Sequence, residues 1–457
     1  MLNRNSFWVN DVGLISPTDY GNAQRMIARH GRDLRYCAPW KQWLVWDGVR
    51  WVTDDSLDVM RRAQETVSHM VSYLDKIDDY DDKRRFHRFI LSSHSHRSLT
   101  AMLSQAKSAA EVQVLPHELN SDKWLLNCLN GTLDLRTGIL RPHSRDDMIT
   151  MLAPVEYDPD ADCPRWKLFM EEITAGDESL IRFLKRACGM CLTGDVSEHV
   201  LLILYGTGRN GKSTFLNTFQ ELLGDYAAQA PPGFLLSKSF DSHPTQLAYI
   251  FGRRMVVSME TGEGNRMDET LVKQLTGGDK IVARRMREDF WEFSPTHKLW
   301  LSTNYKPRIH GYDEAVWERI RLIPFKVSFL SNDPRQDKRL PEKLRGELPG
   351  ILRWAVEGCL EWQEDGLGSP DNVSIATQCY RSDEDVLGVF LNDCCVLKQD
   401  AYATARALYA RYIKWCKDNG ERVKSQSKLG RYLRTRNLEK IRRGTGIVWR
   451  GVELKEE

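Results

Sequence analysis

Apolar residues recur along this chain with two periods, and the changes between them mark out its elements. In WLVWDGVRWV (Trp43 to Val52) they flank Asp47-Gly48, which predicts two short strands joined by a tight turn. LNGTLDLRTGILRP repeats the device, with Asn130-Gly131 and Thr137-Gly138 as turns. Leu57 to Val114, between them, reads mainly as helix. Prolines and aspartates in YDPDADCPRW end that unit, and Trp166 to Gly194 is again helical. HVLLILY follows, a continuous apolar run of the buried-strand kind, and TFLNTFQELLG behind it predicts a helix closed by Gly224. RRMVVSME (Arg253 to Glu260) and KLWLSTN (Lys298 to Asn304) are two further core strands ending in polar side chains. Between them, KIVARRM and FWEF predict the arms of a hairpin, and RIRLIPF alternates as one more strand. Leu348 to Gln363 predicts a helix stopped by DGLGSP. Helices are expected around Asp383 to Leu397 and Thr404 to Asn419. The tail SQSKLGRYLRTRNLEKIRRGTGIVWRGVEL predicts a helix and then two strands around Gly444-Thr-Gly446.

Composition narrows the picture. Hydrophobic content of 41% and charged content of 28% over 457 residues suit an ordinary globular protein of two to four domains. No stretch of about 18 apolar residues occurs, and MLNRNSFWVND lacks a signal-peptide core, so no membrane role and a cytoplasmic site in a bacterial host are expected. Ten scattered cysteines fit a reducing compartment. Cys188 and Cys191 form a C-x-x-C without a second pair, inside a helical pattern, so core packing is expected rather than zinc. DDYDD (Asp78 to Asp82) reads as a solvated connection between helices, and SSHSH gives no ligand pattern. The net charge is only +2, but Arg422 to Arg450 holds ten Lys and Arg against Glu439 alone, a local +9. That end is a candidate phosphate-binding surface.

The strongest chemistry lies in YGTGRNGKSTFLNTF. Gly206, Gly211, Lys212 and Ser213 satisfy G-x-x-x-x-G-K-[ST] between a strand and a helix, the context that motif requires. The backbone of Gly206, Thr207, Gly208, Arg209, Asn210, Gly211 and Thr214 is expected to cradle the phosphates of ATP. Lys212 would reach the β- and γ-phosphates, and Ser213 would bind Mg²⁺. Glu260, at the end of its strand, is the candidate acid that holds Mg²⁺ through water or orients the attacking water, with Glu263 a weaker one. Asn304 would sense the γ-phosphate or position the water. Arg308, Arg319 and Arg321 lie beyond it, where an arginine can act as a finger on a neighbouring subunit; a salt bridge is the plainer reading of Arg321. The hairpin carries Lys280, Arg284, Arg285 and Arg287 and is expected to grip a nucleic-acid backbone without reading sequence; a merely solvated hairpin is the plainer alternative.

Taken in order, the glycine loop, strand-Glu, TGGD with its basic hairpin, strand-Asn and WERIRLIPF resemble the superfamily 3 helicases. The chain is similar above all to the helicase part of phage and plasmid primase-helicases, the group related to poxvirus primase-helicases. The resemblance runs from Trp40 to the C-terminus and takes in WLVWDG and NGTLDLRTG. It implies an α/β fold with an AAA+-type P-loop core, usually a hexameric ring that translocates on DNA. It further implies Lys212, Glu260, Asn304 and Arg319 as the catalytic set, with Arg319 the finger. One departure is that Thr261 follows Glu260 where some members have paired acids. Many relatives carry an N-terminal primase-polymerase domain; with little chain before Trp40 and no strand-borne carboxylate pair, a separate primase or polymerase is the expected partner.

The expected organisation is an α+β domain over 1–160, the helicase domain over 161–335 and a helical and winged-helix DNA-binding region over 336–457. In the last, Lys428, Arg431, Arg434 and Arg436 would lie on the recognition helix and Arg442 and Arg443 on the wing. An ATP-switched origin-binding initiator shares all these motifs and is the alternative function. A metabolic kinase would have no use for a basic hairpin and a basic tail.

Overall fold

The computed structural model describes residues 8–10, 13–237, 245–260, 262–284, 286, 289–309, 313–330, 333, 335–444 and 446–455, with side chains from Ile15 onward. At its centre is a five-stranded sheet in the spatial order Ala227–Gln229, Met255–Glu260, Lys298–Thr303, Leu201–Tyr205, Ile320–Pro324, every neighbouring pair parallel. Parallel strands are covered on both faces, which is why LLILY is a continuous apolar run and every residue of KLWLST is buried, its polar ones included. One face packs on helices Pro164–Thr174, Glu178–Leu192, Lys212–Leu223 and Leu348–Asp365. The other packs on Glu269–Thr276 and on residues of the basic hairpin. Glu178–Leu192 and Leu348–Asp365 cross closely enough that a Cβ on Gly189 would collide with the Cys359 backbone, and one on Gly358 with that of Lys185.

Both N-terminal hairpins form as their turns dictate. Gln42–Trp46 pairs antiparallel with Trp51–Thr53, and the Asp47 carboxylate accepts from the N–H groups of Val49 and Arg50, both at 2.7 Å. Leu125–Cys128, Gly131–Asp134 and Ile139–Arg141 form a three-stranded meander whose buried face joins the same hydrophobic core as the central helices. Helices Asp58–His69, Tyr80–Ser93 and His96–Ala106 fill the stretch between. In DDYDD, Asp79 caps the Tyr80–Ser93 helix by accepting from Asp82 N–H at 2.8 Å. Cys188 and Cys191 are buried free thiols in the Glu178–Leu192 helix, and Cys191 Sγ accepts from Trp300 Nε1–H at 3.2 Å. Among the described residues no group of His, Cys, Asp or Glu is arranged to hold a metal on its own.

Two buried cations tie the sheet to its surroundings, Arg254 to the meander and Lys298 to the chain after the Glu178–Leu192 helix. Arg254 donates to the carbonyls of Leu125, at 2.6 Å, and Leu192, and its guanidinium lies 4.3 Å from the Tyr226 ring centre. Lys298 donates to the carbonyls of Thr193 and, at 3.1 Å, Asp195; burial pushes its ammonium pKa down to about 8.

The tail departs from expectation in one place. Instead of one helix from Asp383 to Leu397, helix Asp371–Glu384 stops at Asp385, a second runs over Val386–Cys394, and Cys395–Thr404 is a strand. Asp385 makes the break: its carboxylate accepts from Gly388 N–H at 3.0 Å and Tyr432 Oη at 2.7 Å, and pairs with Arg436 at 2.6 Å. Helix Ala405–Asp418 follows. Helix Gln426–Thr435 then leads into Glu439–Arg443 and Gly446–Leu454, and the last of these strands pairs on its other side with Cys395–Thr404. No helix of the described residues is long and apolar enough to cross a membrane.

Candidate functional site

The glycine loop leaves the carboxyl end of Leu201–Tyr205 and enters the helix at Lys212. Gly208, Arg209 and Gly211 take left-handed φ values of 107°, 49° and 85°, a sequence of turns that aims successive N–H groups into one concavity. A Cβ on Gly211 would strike Ile173 of the helix roofing the loop, and one on Gly206 would strike Asn210 and the Phe325 carbonyl, so both positions have room only for glycine. No side chain caps the helix that begins at Lys212, which leaves its first N–H groups and the positive end of its dipole for an anion. Ser213 and Thr207 are exposed beside it, and Thr214 is half-buried.

Lys212 is 4% exposed. Its ammonium donates to Gly206 O at 2.6 Å, Asn210 Oδ1 at 3.0 Å and Asn304 Oδ1 at 3.2 Å, and burial pushes its pKa down to about 8. Three donors meeting three neutral acceptors leave the positive charge without a carboxylate among these contacts, as expected of a group meant to meet an anion. Asn304 directly follows the Lys298–Thr303 strand next to the loop strand, which is how residues 92 positions apart come into contact. Glu260 ends the next strand out, opposite Thr303, and is 7% exposed; its Oε1 accepts from Ser258 Oγ at 3.1 Å. Two inter-strand spacings put it about 10 Å from the loop strand, space for a phosphate and a water. The donor set therefore fits a nucleoside triphosphate, and the Ser213 hydroxyl with the Glu260 carboxylate fits a hard cation such as Mg²⁺.

Arg319 stands elsewhere. Its carbonyl accepts from Leu201 N–H at 2.8 Å, at the amino end of the strand whose carboxyl end carries the loop. Five strand steps, about 17 Å, separate it from the pair Tyr205 and Pro324, so it does not reach the loop of its own chain. It is half-buried, with Nη1 on the Ala315 carbonyl. Arg308 is paired with Glu384 at 3.7 Å, and Arg321 donates to the Glu318 and Ile320 carbonyls.

The hairpin forms as Ile281–Arg284 against Phe290–Phe293, ending five residues before Lys298 and so at the sheet edge opposite the loop. Lys280 pairs with Glu292 at 3.8 Å, and Arg284 lies 5.0 Å from the Phe290 ring centre. Val282, Met286 and Phe290 are exposed beside them. Arg285, Arg287 and Thr261 lie outside the described residues. In the tail, Lys428, Arg431 and Arg434 share the exposed face of Gln426–Thr435, opposite buried Leu429, Tyr432 and Leu433. Arg442 and Arg443 are exposed by the strand turn, with Arg443 stacked on Tyr402 at 4.2 Å. Arg436 is not on that face, because its pairing with Asp385 commits it to the tail's own packing.

Sequence patterns did not reveal the Asn210 side chain, which holds Lys212 and reaches the Phe325 carbonyl at 3.4 Å, or Ser258 beside Glu260. The Ser258–Glu260 spacing, two apart on a strand, was a usable signal, since it places both on one face.

The family model described as D5 N terminal like matches residues 23–175, a family of unknown function (DUF5906) matches 204–319, and the model described as Poxvirus D5 protein-like matches 382–453. "Putative helicase L207/L206" of Acanthamoeba polyphaga mimivirus is 27% identical over 339 residues, 68% of this chain and 35% of that protein. "Putative helicase 184R" of Invertebrate iridescent virus 6 is 28% identical over 343 residues, 66% of this chain and 35% of that protein. "Putative primase C962R" of African swine fever virus (isolate Tick/Malawi/Lil 20-1/1983) is 24% identical over 237 residues, 50% of this chain and 24% of that protein. The chain thus spans about a third or less of the length of these relatives. A solved structure of the NrS-1 C terminal region (305-718) shares the fold, with a TM-score of 0.57, 9% identity and coverage of 94% of this chain and 99% of that one. With the two D5-type models matched in order at either end of a parallel α/β core, the chain carries domains similar to those of D5-type primase-helicases and resembles viral proteins named putative helicase and putative primase.

Proposed function

We propose that this chain is the ATP-driven motor of a DNA helicase of superfamily 3, acting in replication of a phage, plasmid or other mobile element. The observation that carries the reading is the contact of Lys212 with Asn304 at one sheet edge while Arg319 stands at the other. In this reading the loop N–H groups and Lys212 bind the β- and γ-phosphates, Asn304 reports the γ-phosphate to its strand, and Glu260 orients the attacking water and takes up its proton. Bound between Ser213 and, through water, Glu260, Mg²⁺ would supply charge that offsets the phosphates. Because Arg319 is out of reach of its own loop, its charge serves a neighbour, which calls for a closed ring, hexameric by the family resemblance. Lys280, Arg284, Arg285 and Arg287 then grip the strand in the channel, with Phe290 and Met286 offering apolar surface to its bases. The helix with Lys428, Arg431 and Arg434, and the strand turn with Arg442 and Arg443, act as a winged helix on duplex DNA. The expected division is an N-terminal region to about residue 160, the motor to about 335 and the DNA-binding tail beyond, with priming supplied by a separate primase or polymerase.

The test is strand displacement on forked DNA with ATP and Mg²⁺. Unwinding that disappears in Lys212→Ala supports a motor. ATP-dependent DNA binding with no displacement, on forks of either polarity, would instead favour a loader or initiator.

A further inference from the structure

The turn over residues 250–254 touches two parts of the molecule at once. The Phe251 ring centre lies 4.7 Å from Trp291 and 5.3 Å from Phe293, both on the returning arm of the basic hairpin, and these two rings are 5.1 Å apart. On its other side, 6.2 Å away and edge to face, is Trp40. Trp40 sits in the reversal between strands Leu34–Cys37 and Gln42–Trp46; Lys41 there has a left-handed φ of 55° and closes the turn onto the Ala38 carbonyl at 3.1 Å. Neighbouring residues repeat the double contact. A Cβ on Gly252 would crowd the Met151 methyl. The Arg253 carbonyl accepts from Thr296 Oγ1 at 2.8 Å, three residues past the hairpin, while its guanidinium donates to the carbonyl of Asp225, whose carboxylate pairs with Arg50.

A two-stranded hairpin is marginal in water without a surface to lie on. Here the inner face, carrying Ile281, Ala283 and Phe293, joins the core on the second face of the sheet, with Leu247 and Ala248 of helix Thr245–Tyr249 beside it, while Val282 and Phe290 face solvent. The aromatic chain Trp40, Phe251, Trp291, Phe293 meets that inner face at the hairpin root and is the part of its seat that reaches the N-terminal strands.

We propose that Trp40 is a positioning residue: through Phe251 it seats the N-terminal region on the hairpin root and fixes the angle at which the hairpin projects. The functional part of this rests on the hairpin being the strand-gripping element. The N-terminal region and the grip then move as one body, and a partner that displaces the first also moves the second.

Hydrogen exchange on the full chain tests the seat, and oligothymidylate binding tests its use. In Trp40→Ala, amides of Ile281–Arg284 and Phe290–Phe293 should exchange roughly 2- to 10-fold faster, the range carried by one edge-to-face aromatic pair. Amides of Leu201–Tyr205 should be unchanged, and Trp40→Phe should restore most of the protection. Affinity for oligothymidylate should fall by a similar factor with basal ATP turnover unaltered. Unchanged hairpin exchange, or equal acceleration in hairpin and central strand, overturns the proposal. Faster hairpin exchange with wild-type oligothymidylate affinity upholds the seat and removes the hairpin from strand binding.

Discussion

Nucleotide binding should take up protons above neutral pH, and Lys212 should be the group that takes them. With only neutral acceptors around it, its ammonium is held down to about 8 from an ordinary 10.5. That gap corresponds to about 3 kcal/mol by which burial disfavours the charged form. A phosphate placed against the ammonium restores the charged form and lifts its pKa back toward the ordinary value. The folded, unliganded site therefore binds fewer protons than the liganded one between about pH 8 and pH 10.5. Uptake should be about 0.1 proton per ATP at pH 7, about half at pH 8 and nearly one at pH 9. Affinity should fall about tenfold for each pH unit above 8. Calorimetric titration with Mg²⁺-ATP, in two buffers of different ionisation enthalpy, reads the uptake directly. Lys212→Ala must abolish it, since ATP itself is fully ionised in this range. No uptake at pH 9, or equal uptake in Lys212→Ala, would refute the placement of this ammonium on the phosphates.

Other expectations follow from the same geometry. Arg319→Ala should bind ATP nearly normally and hydrolyse it ~10³-fold or more slowly; mixing it with Lys212→Ala should restore part of the activity, and no rescue despite subunit exchange confirmed by native mass spectrometry rejects the shared site. Replacing Arg284, Arg285 and Arg287 by Ala should reduce the logarithmic salt slope of single-strand binding by about 0.7 for each phosphate no longer neutralised, while an unaltered slope returns the hairpin to solvent. Gly358→Ala puts a methyl group against the Lys185 backbone and should cost about 1–3 kcal/mol, seen as a lowered thermal midpoint; an unchanged midpoint would mean that the two helices part freely.

How much of this was legible depends on how local each determinant is. The loop was, because Gly206, Gly211, Lys212 and Ser213 are close in sequence and the flanking runs permit only strand then helix. The strands ending at Glu260 and Thr303 were legible from apolar runs that specify parallel strands buried on both faces, and the hairpin from two short alternating arms flanking a polar turn. The contact of Lys212 with Asn304 was not, since it depends on which strand lies beside which. The tail shows the limit more sharply. VLGVFLNDCCVL spaces its apolar residues acceptably for a helix or a strand, and the decision falls to Asp385, whose partners Tyr432 and Arg436 arrive from about fifty residues later. Arg436 resembles a DNA-binding residue for the mirror-image reason, because a charge bound by a distant carboxylate looks free in sequence. The aromatic chain from Trp40 to Phe293 was invisible, as each ring alone is an ordinary core residue.

Arg254 has a consequence for how this molecule can be divided. Its guanidinium is solvated by two carbonyls, one in the N-terminal meander at Leu125 and one in the central helices at Leu192. Cutting away the meander would leave a buried cation with half of its solvation, a defect of the kind that costs about 3–5 kcal/mol. The central sheet with its helices is thus not an independently excisable module, and shuffling its N-terminal region between relatives would succeed only where the donor sequence brings an equivalent carbonyl to the same spot.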